Sequence, residues 1–204
     1  MSKYLKTAIL AIMILLSLPG FAQKPRLRYG IQWGCNTQVV SESQYTYLTD
    51  IGYRVSDGED PHADYYTNAF VCADLGIEFF KSFALSASIG YRGVAEDYRV
   101  FPAELQLSWF LRGYETSGVF FSAGGGTALT EGLSADDGII MLSAGTGYRH
   151  SLSHKINLDG FVKVRHTSCS PLPVDEYDGV IPRERTVYSR STHISVDLGI
   201  ALYF

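Results

Sequence analysis

From Tyr188 to the C-terminus the residues alternate. Tyr188, Ile194, Val196, Leu198, Ile200, Leu202 and Phe204 share one parity; Ser189, Ser191, His193, Ser195, Asp197, Gly199, Ala201 and Tyr203 share the other. A period of two held this long predicts a β-strand with one apolar and one polar face. The same test finds seven more segments. Residues 28–39 place Tyr29, Ile31, Trp33 and Cys35 together, and 68–80 place Val71, Ala73, Leu75, Ile77 and Phe79 together. A third segment carries Phe83, Leu85, Ala87, Ile89 and Tyr91, and a fourth Phe101, Ala103, Leu105, Leu107, Trp109 and Leu111. Val119, Phe121, Ala123, Thr127 and Leu129 mark the fifth, Ile140, Leu142, Ala144 and Tyr148 the sixth, and Ile156, Leu158, Val162 and Val164 the seventh. No window sustains the 3.6-residue period of a helix.

The connections fall into two classes. Residues 81–82, 112–117 and 149–155 make short turns, while 40–67, 130–137 and 168–186 make long loops, with a brief link at 96–97. Eight antiparallel strands with short turns at one end and longer loops at the other predict an all-β, up-and-down transmembrane barrel. Pro171, Pro173 and Pro182 sit in the last long loop, where they disturb no ladder; Pro102 falls inside a strand and marks a bulge or the rim.

The start of the chain fits export. Lys3 and Lys6 precede an apolar run over 8–18, followed by Gly20 and Ala22, the plan of a secretory signal peptide over residues 1–22. That run is shorter than the roughly 20 apolar residues of a transmembrane helix. Residues 23–204 then form one domain. If it enters a membrane it must do so as a closed barrel, because hydrocarbon offers no partner to an open sheet edge.

The polar parity holds five carboxylates, Asp74, Glu78, Glu104, Asp159 and Asp197, and five cations, Arg28, Arg92, Arg149, Lys163 and Arg165. Serines and glycines fill the spaces between them. An eight-stranded barrel has an interior just wide enough for side chains to fill, and charges buried there must be paired. Ion pairs among Asp74, Glu78, Arg92, Glu104, Lys163 and Arg165 are therefore expected to close the lumen. A soluble periplasmic barrel of lipocalin type would carry its faces the other way round. Composition agrees with the membrane reading: 14 Tyr and 11 Phe against three Met supply aromatic residues for interfacial belts. A net charge of −4 gives no footprint for nucleic acid.

Together with the terminal Tyr203-Phe204, these features resemble the small, eight-stranded outer-membrane β-barrel family of bacteria. The resemblance implies a place in the bacterial outer membrane, contact with outer-membrane lipid, and reading of the Tyr203-Phe204 ending by the barrel assembly machinery. It implies no activity, since this fold serves anchors, adhesins, narrow channels and enzymes alike.

Chemistry-bearing motifs are sparse. His166 and Ser168 lie two apart on the apolar parity, similar to the His-X-Ser pair of outer-membrane lipid A deacylases, which would use Ser168 as nucleophile and His166 as base. The family's motif continues with Asn, where this chain has Cys169. The acid would have to be Glu176 or Glu184. The acidic stretch 57–64 lacks the ordered spacing of a calcium loop, and nothing calls for a metal or cofactor. Cys35, Cys72 and Cys169 are odd in number, and the first two face opposite sides of their strands. The leading expectation is a non-enzymatic barrel whose loops at 40–67 and 168–186 bind an unknown external ligand. The alternatives are the deacylase-like hydrolase, a narrow porin and the lipocalin-like barrel.

Overall fold

The computed structural model describes residues 25–94, 99–130, 138–153, 156–175 and 179–204; the expected signal peptide lies outside them. Eight long strands form the barrel: β1 (Arg26–Leu48), β2 (Arg54–Phe79), β3 (Phe83–Gly93), β4 (Arg99–Phe110), β5 (Gly118–Thr130), β6 (Ile140–Ser151), β7 (Asn157–Cys169) and β10 (Thr186–Tyr203). Two short strands, β8 (Val174–Asp175) and β9 (Gly179–Val180), pair apart from it. Each barrel strand pairs antiparallel with its sequence neighbour, and β1 pairs with β10 to close the ring. The chain is thus an eight-stranded antiparallel up-and-down barrel.

The faces are inside-out relative to a soluble barrel. Leu27, Leu75, Ile89, Leu105, Leu142, Val164 and Leu198 are exposed on the outer wall, whereas Arg92, Arg149, Asp159, Arg165 and Asp197 are buried inside. So much exposed apolar surface is untenable in water and is what hydrocarbon requires, which rules against the lipocalin-like arrangement. Along β10 the outward apolar run from Ile194 to Phe204 spans about 33 Å of strand. At the usual barrel tilt that covers the roughly 25 Å apolar band of an outer-membrane protein. An aromatic girdle marks its lower edge: Phe79, Phe83, Trp109 and Phe121 contact one another in sequence across β2, β3, β4 and β5, with centroids 6.0–6.5 Å apart. Tyr91 and Phe101 meet near the upper edge.

Inside, Phe70, Phe110, Phe120, Phe161 and Tyr203 fill the lower half of the barrel. Glycines give these rings their room: a Cβ at Gly199 would run into Phe161 and Phe70, and one at Gly147 into Phe120.

The largest departure from expectation concerns residues 40–67. They are not a loop. β1 and β2 continue as a paired hairpin up to Leu48 opposite Arg54, and β10 pairs with β1 as far as Tyr47 opposite Thr186. Because β7 stops at Cys169, opposite Ser191, and the highest β3 rung on β2 is Arg92 with Phe70, these three strands rise past the barrel rim as a flap. The acidic stretch 57–64 therefore lies on β2 as strand. Among the described residues of the last long loop, Ile181 is fully buried and its N–H donates to the Pro173 carbonyl at 2.9 Å. Pro102 makes no bulge; the β3–β4 register is unbroken, but the rungs between Ile89–Ala103 and Arg92–Val100 are missing, as a residue without an N–H dictates.

Candidate functional site

Three regions carry chemistry: the interior, the outer wall near the flap, and the flap itself.

In the interior, two charge clusters tie distant strands together. In the lower one Arg149 on β6 binds Asp159 on β7 through Nε at 2.7 Å, and its Nη1 reaches Glu78 on β2 at 3.3 Å and the Tyr114 carbonyl at 3.0 Å. Its guanidinium lies 4.1 Å over the Phe110 ring. In the upper one Asp197 on β10 accepts from Arg92 at 2.9 Å and from Arg165 at 3.1 Å, while Arg165 also donates to Glu104 at 2.5 Å. Glu104 and Arg165 thus pair within the expected set, while Glu78 pairs with Arg149, and Arg92 and Arg165 with Asp197, partners that the set omitted.

Asp74 and Lys163 correct that set. Asp74 is held by neutral donors, Gln32 Nε2 and the Tyr203 hydroxyl, both at 3.0 Å. Lys163 Nζ donates to Gln106 Oε1 at 2.6 Å and sits 4.3 Å over the Phe161 ring. The physical reason is register. Ion pairing across a barrel depends on which strands face one another through the lumen, and alternation along one strand is silent on that.

On the outer wall, β1 has a bulge between Gln38 and Val40. The extra residue reverses the parity, so Glu42 and Gln44 pair with the outward Thr192 and Arg190 of β10. With His166 and Tyr188 they line a cleft of about 260 Å³ just above the apolar band. His166 and Ser168 both lie on this outer face, half-buried, opposite Ile194 and Thr192. No hydrogen bond joins His166 to Ser168 among the described residues. Glu184 stands exposed on a 3₁₀ turn, Arg183–Arg185, and Glu176 lies outside the described residues. Among the described residues the expected Ser-His-Glu chain is therefore not assembled; the carboxylate lining the cleft with His166 is Glu42, which no alternation pattern had pointed to.

Below the cleft, on the same wall, a second concavity of about 760 Å³ is lined by Trp33, Val162, Leu198 and Ile200, with Gly160 among its small residues.

At the bottom of the β1–β10 seam, Phe204 N donates to Tyr29 O at 2.8 Å and their rings stack at 5.8 Å. Tyr203 points inward and Phe204 outward. Cys35, Cys72 and Cys169 form no disulfide among the described residues.

No protein-family model matches the sequence, and no curated protein matches it significantly. Among solved structures the chain is similar to the outer membrane protein OprG from Pseudomonas aeruginosa, at 11% identity and a TM-score of 0.49, over 87% of this chain and 95% of that one. It is also similar to Neisserial surface protein A, at 9% identity and a TM-score of 0.45, over 88% of this chain and 98% of that one.

Proposed function

We propose that the chain is a non-enzymatic protein of the bacterial outer membrane, exported by residues 1–22, whose flap engages a partner outside the cell. The observation that carries this reading is the flap's surface. Ile51, Tyr53 and Tyr65 are at least 70% exposed there, with Tyr188 and Val187 half-exposed on β10. Tyrosines interspersed with Ser, Asp and Gly are the composition of binding surfaces, because a rigid amphipathic ring gives contact area at little entropic cost.

The flap also resists joining a neighbour's sheet. The free edge of β2 carries Asp57, Glu59, Asp60 and Pro61, and charge plus proline is how edge strands avoid pairing. The partner therefore meets side chains rather than backbone.

Gln44 and Gly58 face each other in register, so an Asn-Gly turn can replace residues 45–57 without disturbing the barrel below. Cells displaying the trimmed protein should show barrel levels equal to wild type and lose adherence to immobilised mucin, fibronectin or one another, whichever the wild type confers. Equal adherence by both forms would leave the flap without this role.

A further inference from the structure

The outer wall formed by β7, β10 and β1 presents two adjoining features. One is the polar cleft of Glu42, Gln44, His166, Tyr188, Arg190 and Thr192; the other is the apolar concavity around Trp33, Gly160, Val162, Leu198 and Ile200. They lie on the same strands. From Thr192 to Leu198 is about 20 Å along β10, and the outward residues between them, Ile194 and Val196, are apolar.

The charges in the cleft are arranged unusually. Arg190 has no ion-pair partner among the described residues, although Glu42 lines the same cleft. Gln44, which is opposite Arg190 in register, donates its amide to Glu42 Oε1 at 3.1 Å. One cation and one carboxylate are thus kept apart in a single cleft. A purely anionic ligand would meet Glu42, and a purely cationic one would meet Arg190. A zwitterion satisfies both. The half-exposed Tyr188 ring adds a face suited to an ammonium group.

We propose that this wall is a binding site for a lipid with a phosphoethanolamine headgroup. The phosphate lies against Arg190 and His166, and the ammonium against Glu42 and Tyr188. An acyl chain follows Ile194 and Val196 down to the concavity at Gly160. The position of the cleft, directly above the apolar band on the lipid-facing side, selects a membrane lipid over a soluble phosphoethanolamine. The inference rests on the membrane placement given under Proposed function.

The test uses the mature chain in nanodiscs of equal parts phosphatidylethanolamine and phosphatidylglycerol, with native mass spectrometry of the lipids that stay bound. Wild type should retain phosphatidylethanolamine about tenfold over phosphatidylglycerol, the size expected for one charge-assisted contact. Glu42→Gln and Arg190→Gln should each bring the ratio near unity. Both side chains are outside the lumen, and heat-modifiable migration shows whether each variant is folded. Gly160→Leu gives an independent readout. A Cβ there meets nothing within 4 Å, so the variant fills the concavity without strain and should lower retention of both lipids.

Equal retention of the two lipids by wild type overturns the site, as does selectivity that survives both charge substitutions. Displacement of the lipid by millimolar O-phosphoethanolamine overturns the choice of a membrane lipid. Failure of the chain to enter nanodiscs at all would instead remove the membrane placement, and the site with it.

Discussion

Arg149 and Asp159 meet as two forks, Nε to Oδ1 and Nη2 to Oδ2, both at 2.7 Å, on directly opposed residues of β6 and β7. Both are buried. Two parallel charge-assisted bonds fix the angle between the partners as well as their distance. Since Arg149 also holds Glu78 and the Tyr114 carbonyl, this pair fastens β2 and the β4–β5 turn to β6 and β7.

Removing one partner should cost far more than removing every charge of the cluster. Asp159→Ala leaves Arg149 with Glu78 as its one carboxylate, through a single longer contact of 3.3 Å, and urea unfolding in detergent should show a loss of about 3–5 kcal/mol. Arg149→Met combined with Asp159→Leu and Glu78→Gln should recover most of that, because Glu78 would otherwise lose its cation and with all three changes no buried charge remains unpaired. Glu104→Gln should be milder, about 1–2 kcal/mol, since Arg165 keeps Asp197. A Glu104→Gln loss as large as that of Asp159→Ala would mean that Asp197 cannot hold Arg165 by itself.

The contrast between these residues shows what could be read from sequence. All ten charged residues on the polar parity could be placed inside the barrel from period two alone. Their pairing could not: Arg92 and Asp197 are 105 residues apart in sequence, and only the closed ring brings β3 to face β10. The flap was missed for a different reason. Above the band neither face of β1 and β2 meets lipid, so residues such as Ser41, Glu42, Ser43 and Gln44 carry no apolar alternation to detect. The bulge after Gln38 then hid the outward turn of Glu42, because a parity flip appears only against a partner strand.

With ion pairs and aromatic rings filling the interior, planar-bilayer recordings of the refolded protein should show little or no steady conductance. Arg92 lies over the Phe70 ring and Lys163 over Phe161, which sets cations and rings against one another inside the barrel. Large, stable channels in the wild type would favour the narrow-porin reading.

Ser168 should prove dispensable. It has no hydrogen bond to His166, and the expected acid Glu184 stands apart from the cleft. A nucleophilic Ser needs an oriented base. Mass spectrometry of lipid A from cells expressing wild type or Ser168→Ala should therefore give the same acyl pattern. Loss of one acyl chain only with the wild type would establish the hydrolase and make Glu42 the residue to examine as the acid.

Phe204 allows stability to be separated from recognition. Its backbone closes the last rung of the β1–β10 seam with Tyr29, and its ring stacks on the outer face. Phe204→Ala keeps the backbone bonds and removes only the ring, which is 42% exposed. The loss of stability in detergent should then be small, about 1 kcal/mol or less for a partly exposed aromatic contact. If the ring is read during assembly, the same substitution should lower the folded outer-membrane fraction in cells severalfold and leave more chain in the periplasm. Refolding into pure lipid vesicles, where no machinery is present, should be almost unchanged. Equal losses in cells and in vesicles would reduce Phe204 to a strut of the seam, and no loss in either would show that the aromatic ending only continues the alternation of β10.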